Sequence, residues 1–205
     1  AYHCGITAAN AASLVVYWNF ETSTCGGWPD GTLDQYQSGS IFRAGRSGSD
    51  FTLVELDDDP DTAFNVHWSG WDNTDGDPTR STAIHHPSTD EKRISFEDDP
   101  LTTTSYLATA SPGDGTHLRV ADWDVGTTEP GSSGSGLWNQ DHRIVGQLHG
   151  GHAACGNDLA DWYGRFSVSW DTGATSSTRL KEWLDPADTG AFVVDGIDQC
   201  PRPAV

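Results

Sequence analysis

Apolar residues in this chain come in short runs, broken every few positions by glycine, proline, aspartate, asparagine or serine. The runs "SLVVYWNF" (Ser13 to Phe20) and "DFTLVEL" (Asp50 to Leu56) are rich in β-branched and aromatic residues and bounded by turn formers, so both read as strands. Between them "CGGWPDGTLDQYQSGS" reads as loop or hairpin. "AFNVHWSGW" (Ala63 to Trp71), "RISF", "THLRVADW", "HRIVGQLHGG" and "WYGRFSVSW" continue the series of close-set strands, a spacing that predicts a sandwich or barrel. One segment departs from it. "SSTRLKEWLDP" (Ser176 to Pro186) offers capping hydroxyls, Leu180, Trp183 and Leu184 on one face and a terminating proline, and so predicts a short helix. A closing strand and an irregular tail are expected after it. The acidic, threonine-rich connection near Phe96 to Thr104 is the expected boundary between two units.

Composition agrees with a mostly β chain. The 205 residues include 23 glycines and ten prolines, while nine tryptophans and seven phenylalanines suffice for a substantial core. A net charge of -19, with only eleven Lys and Arg, excludes nucleic acid and anionic membrane surfaces as natural partners, since both need basic patches. No apolar run reaches the roughly 18 residues of a bilayer span. Cys4, Cys25, Cys155 and Cys200 are far apart and lack CxxC spacing, which disfavours zinc and favours disulfides in an oxidising compartment, with three pairings open.

The stretch "EPGSSGSGLW" (Glu129 to Trp138) raises the question of chemistry. A serine hydroxyl is a weak nucleophile until a base takes its proton, and the base works best when a carboxylate fixes its tautomer. His3 in "AYHC", Asp50 at the head of an apolar strand and Ser133 in "GSSGS" supply the three in the chain order of chymotrypsin. His85 and His86 are adjacent, so in a strand they point to opposite faces and read as structural. The acidic clusters "DDDPD" and "DNTDGDPT" have the oxygen density of calcium loops but not the EF-hand spacing, and read as solvated loops.

The segments "AYHCG", "AASLVVYWNFETSTC", "SGSDFTLVEL", "AFNVHWSGWD", "AIHHPSTDEKRIS", "TEPGSSGSGLW", "RIVGQLHGG", "DWYGRF" and "RLKEWLDPADTGA" together resemble, in order, the bacterial lysyl endopeptidases, secreted chymotrypsin-like serine proteases. The resemblance implies an all-β, chymotrypsin-like double β-barrel with a short C-terminal helix. It divides the chain into residues 1–98, an incomplete first barrel lacking its amino-terminal strands, residues 99–195, the second barrel, and a tail or linker over 196–205. It also implies that the partners of Cys4, Cys25 and Cys155 lie upstream, in a longer parent protein, and it supplies no counterpart for Cys200.

By the same resemblance His3 is the general base, Asp50 its orienting carboxylate and Ser133 the nucleophile, with the N–H groups of Gly131 and Ser133 as the oxyanion hole. Asp161 falls at the base of the lysine pocket. His149 falls on the substrate-binding wall, and Trp123, with a one-residue shift, on the tryptophan that stacks near it. Gly150 and Gly151 would leave an open edge for a substrate strand. Because Ser132 precedes the nucleophile, activation by a new amino terminus pairing with an aspartate there is not expected. The resulting expectation is a secreted, monomeric serine endopeptidase acting after lysine on protein or peptide substrates, without cofactor or metal. Its rivals are arginine or mixed specificity, a non-catalytic protease-like binding module, and a calcium-dependent acidic domain.

Overall fold

A computed structural model describes residues 1–199. Fifteen short strands and two short α-helices follow one another along the described chain. The strands are β1 (Val15–Tyr17), β2 (Tyr36–Ser38), β3 (Ser40–Arg46), β4 (Phe51–Leu56), β5 (His67–Trp68), β6 (Trp71–Asp72), β7 (Ser81–His85) and β8 (Arg93–Glu97). They continue with β9 (Thr102–Thr104), β10 (His117–Val120), β11 (Gly136–Asn139), β12 (Ile144–Gly151) and β13 (Asp161–Arg165). Then come α1 (Phe166–Asp171), α2 (Lys181–Leu184), β14 (Val193–Val194) and β15 (Ile197–Asp198). The chain is all-β, as expected.

Seven antiparallel strands form the main sheet in the order β8-β7-β11-β12-β13-β10-β9, with β6 beside β12 and β14 beside β6. This sheet runs across the 98/99 division expected from the sequence, because β7 pairs with β11 from Leu137↔Ala83 to Asn139↔Ser81. Its core is Leu118, Val120, Trp123, Leu137, Leu148 and Tyr163, all nearly excluded from solvent. A second core joins the β3–β4 hairpin to the helices: Ala44 and Phe51 pack with Trp71, Phe166, Trp170 and Leu180.

Three segments differ from the sequence reading. "WYGRFSVSW" is strand only through Arg165. Phe166, Ser169 and Trp170 are buried at the i, i+3, i+4 positions of α1, a helical period hidden in a segment that also alternates by two. The expected helix from Ser176 is split. A 3-10 turn at Ser176–Thr178, capped by Thr175, precedes the four residues of α2. Leu180, Trp183 and Leu184 do share the buried face. The expected tail begins as structure, since Ile197 pairs with Trp68 and Asp198 with His67; its last six residues, 200–205, lie outside the described ones. Among the described residues no disulfide forms, and Cys4, Cys25 and Cys155 are exposed thiols. The disulfide expectation for Cys200 falls outside the described residues.

Candidate active site

The β3–β4 turn is docked on the main sheet before any chemistry is considered. Ser49, fully buried, gives its carbonyl to the Gln147 Nε2 amide at 2.7 Å and its hydroxyl to a 2.9 Å hydrogen bond with Ser169 of α1. This approach works only because position 164 is glycine. A Cβ there would lie 1.8 Å from the Ser49 carbonyl oxygen. The docking fixes the next residue. Asp50 is 2% exposed and adopts φ 55, a left-handed conformation unusual for a residue with a side chain.

Tyr2 and His3 lie on that turn. The Tyr2 N–H donates to the Asp50 carbonyl at 2.8 Å and the His3 N–H donates to Asp50 Oδ1 at 2.9 Å. His3 Nδ1 then meets Asp50 Oδ2 at 2.7 Å. On its other side His3 Nε2 lies 2.9 Å from Ser133 Oγ. A carboxylate only accepts, so Nδ1 carries the ring proton and Nε2 is left to accept from the serine.

Ser133 sits in a tight loop between Gly131 (φ 102) and Gly134 (φ 84). The loop is tied to β12 by Gly134 N–H to Leu148 O at 2.8 Å and Leu148 N–H to Ser135 O at 2.9 Å. Among the described residues no hydrogen bond takes up the N–H of Gly131 or Ser133. Behind the loop, buried Ser132 donates to His85 Nδ1 at 2.9 Å, and His85 Nε2 meets Ser95 Oγ at 3.1 Å. Burial holds His85 down to about 4, so it stays neutral and serves as a hydrogen-bonding strut. The structural reading of this histidine acquires a purpose that its sequence context did not signal.

His149 lies beside the line of three, its Nε2 3.9 Å from Asp50 Oδ2 and its ring stacked on His3 with centroids 5.5 Å apart. Burial lowers its pKa against the pull of Asp50, with His3 and the terminal ammonium helping to lower it. The expected tryptophan stack is absent. Tyr106, which sequence reasoning missed, lies flat on His149 with centroids 3.6 Å apart and rings within 5° of parallel. Trp123 is instead turned into the core, where its Nε1–H donates to Asp161 Oδ2 at 2.9 Å. Thr128 donates to the same oxygen at 2.6 Å. Asp161 is 1% exposed; burial raises its pKa, opposed by those two hydrogen bonds.

Gly151 stands opposite Asp161 in the β12–β13 ladder, and a Cβ at Gly151 would lie 2.3 Å from Asp161 Oδ1. The β11 pairing of β12 stops at Gln147, so on that side His149, Gly150 and Gly151 have no strand neighbour among the described residues. The acidic loops, by contrast, form no cluster of metal-ligating atoms among the described residues. Asp72 accepts from Thr74 and Asn139, Asp77 from Thr103, and Asp75 pairs with Arg165.

A hydroxyl, an imidazole and a buried carboxylate in one hydrogen-bonded line, at the junction of two antiparallel β units, define a class: all-β proteins built around a basic imidazole that faces a serine. The chain belongs to the lysyl endopeptidase family, for residues 1–164 match the family model "Lysyl endopeptidase, C-terminal domain". It is also similar to the lysyl endopeptidase of Pseudomonas aeruginosa, 30% identical over 82% of this chain. The chain spans 37% of that protein's length.

Proposed function

We propose that this chain carries the catalytic apparatus of a secreted serine endopeptidase that cleaves after lysine. The observation that carries the reading is the continuous line Ser133 Oγ, His3 Nε2, His3 Nδ1, Asp50 Oδ2, with steps of 2.9 Å and 2.7 Å, in a member of the lysyl endopeptidase family. Ser133 attacks the scissile carbonyl as His3 takes its proton, and Asp50 stabilises the imidazolium. The oxyanion develops against the free N–H groups of Gly131 and Ser133, and His3 returns the proton to the leaving amine. Water then resolves the acyl-enzyme by the same steps.

Asp161 supplies the preference for a cation. Trp123 and Thr128 hold one of its oxygens, and a buried carboxylate accepts a substrate ammonium in a charge-assisted contact that a neutral side chain cannot replace. The unpaired β12 edge at His149 to Gly151 takes the substrate backbone as an added strand. No helix among the described residues is long and apolar enough to cross a membrane, and peptides or proteins are the proposed substrates.

The test has two arms. A fluorophosphonate should label the wild type rapidly and Ser133→Ala not at all; an unlabelled but folded wild type favours the binding-module reading. Peptide pairs differing only in Lys or Arg should be cleaved faster after Lys, and equal rates would refute the lysine preference.

A further inference from the structure

The hydrogen-bond chain behind His149 fixes which of its nitrogens carries a proton. Asp114 Oδ1 can only accept, so Thr116, at 2.7 Å, donates its single hydroxyl hydrogen to it. The Thr116 oxygen must then accept from His117 Nδ1–H, also at 2.7 Å. His117 is 1% exposed, and its neutral ring, with the proton on Nδ1, leaves Nε2 a bare acceptor. That nitrogen lies 2.9 Å from His149 Nδ1 and can be satisfied there only by His149 Nδ1–H. His149 Nε2 is therefore a lone pair, and it faces the Asp50 carboxylate from 3.9 Å with no hydrogen between them.

A lone pair aimed at a carboxylate is an arrangement that a cation completes. His3, Asp50 and His149 each present one ligand atom, all within 4.8 Å of one another. We propose that Zn2+ binds here, through Asp50 Oδ2, His149 Nε2 and His3 Nδ1, and switches the enzyme off. At bonds of about 2.0 to 2.2 Å tetrahedral ligands stand roughly 3.4 Å apart, so His149 closes slightly on Asp50 while His3 opens from it, and two imidazoles with one carboxylate suit zinc, with water as a fourth ligand. The donor set does not suit calcium, which takes oxygens. His117, Thr116 and Asp114 form the outer layer that holds the His149 ring in its ligating tautomer.

The consequence for catalysis follows from proton balance. Zinc takes the Nδ1 electron pair of His3 as the Nδ1 proton leaves to solvent, and Nε2 gains a proton from solvent, so the net count is unchanged. Nε2–H now donates to Ser133 and can no longer accept from it. Inhibition thus rests on the reading of Ser133 as nucleophile and His3 as base, whereas binding does not.

The exposed thiols, with Cys4 Sγ 4.0 Å from His3 Nε2, are rival ligands, so the experiment uses the full chain with Cys4, Cys25 and Cys155 changed to Ser. Zn2+ binding is followed by calorimetry and Co2+ binding by its visible spectrum, with peptide hydrolysis measured alongside. One cation per chain is expected, and His149→Ala should weaken it at least about tenfold. His117→Ala should weaken it by about 10- to 100-fold, the usual cost of losing an outer-layer partner. Thr116→Val, at a surface turn, gives a second reading of the same lock should His117→Ala fail to fold, and should weaken binding in the same direction. Affinity unchanged in His149→Ala, or binding lost once the thiols are replaced, overturns the site. Cation binding that needs His149 in a chain that hydrolyses nothing sinks the protease reading and leaves the site standing; hydrolysis indifferent to zinc does the reverse.

Discussion

Replacing Asp50 by Asn is the sharpest perturbation of the proposed mechanism, because it changes one heavy atom and almost no volume. Asp50 accepts two N–H groups, the His3 backbone at Oδ1 and the His3 ring at Oδ2, at 2.9 and 2.7 Å. An amide can accept only one of them, and its NH2 must face the other. The backbone N–H cannot change its state, whereas the ring can move its proton. The amide oxygen therefore stays on the backbone, the NH2 faces Nδ1, and His3 adopts the Nε2–H tautomer. Ser133 at 2.9 Å then meets a donor in place of a base. The expected loss in kcat is about 10^4-fold, the scale found when a triad carboxylate becomes an amide elsewhere, which is about 5.4 kcal/mol in the barrier at 1.36 kcal/mol per decade. The assay is steady-state hydrolysis of a lysyl peptide, with thermal unfolding as the control for folding. A folded Asp50→Asn protein whose kcat lies within tenfold of wild type would refute the tautomer argument and Asp50's part in it.

Two further expectations concern stability. Glu97 is buried, with one oxygen lacking a partner, and burial, aided by nearby Asp124, Asp122 and Asp99, raises its pKa from 4.5 to about 7. The folded chain therefore keeps a proton that the unfolded chain loses, so this stabilisation is present below about 4.5 and is lost as pH rises through about 7. Glu97→Gln should remove roughly 2 to 3 kcal/mol of that pH dependence, seen as a smaller difference between urea unfolding at pH 5 and at pH 8; an unchanged difference would count against it. Trp170, tilted against Trp71 with centroids 4.7 Å apart and packed on Phe166, should cost about 3 to 5 kcal/mol when cut to Ala, and a loss under about 1 kcal/mol would mean that α1 does not hold the second core.

The parts of this protein that were legible from sequence are those whose signal is local. Short runs of β-branched and aromatic residues between turn formers pointed to β4, β8, β10 and β12, and the Ser133 loop stood out by its glycines. His3 and Asp50 were singled out by chain order and by their neighbours' likeness to a family, since 47 positions separate the partners and nothing in either one's own context predicts the contact. Tyr106 and His117 escaped for the same reason in stronger form, and His85 was read as structural without its partner. Each acts through a residue distant in sequence, Tyr106 through His149, His117 through His149, His85 through Ser132. Trp123 was expected to stack near His149 and instead donates to Asp161, because an aromatic near a pocket reads equally as a ring to stack on or as an N–H to donate. The α1 segment was misread because two periods fit five residues equally well, and tertiary burial of Phe166 and Trp170 decided between them.

Strand β12 holds β11 on one edge and β13 on the other, then lends Leu148 to the serine loop and ends in His149, Gly150 and Gly151. In the proposed mechanism the rail for the substrate and the mount for the nucleophile are one piece of backbone, which constrains any redirection of this scaffold toward another peptide bond. Shifting one drags the other. On that reading new preferences come from side chains grafted around Asp161, and insertions or deletions within residues 144–151 should abolish the proposed activity.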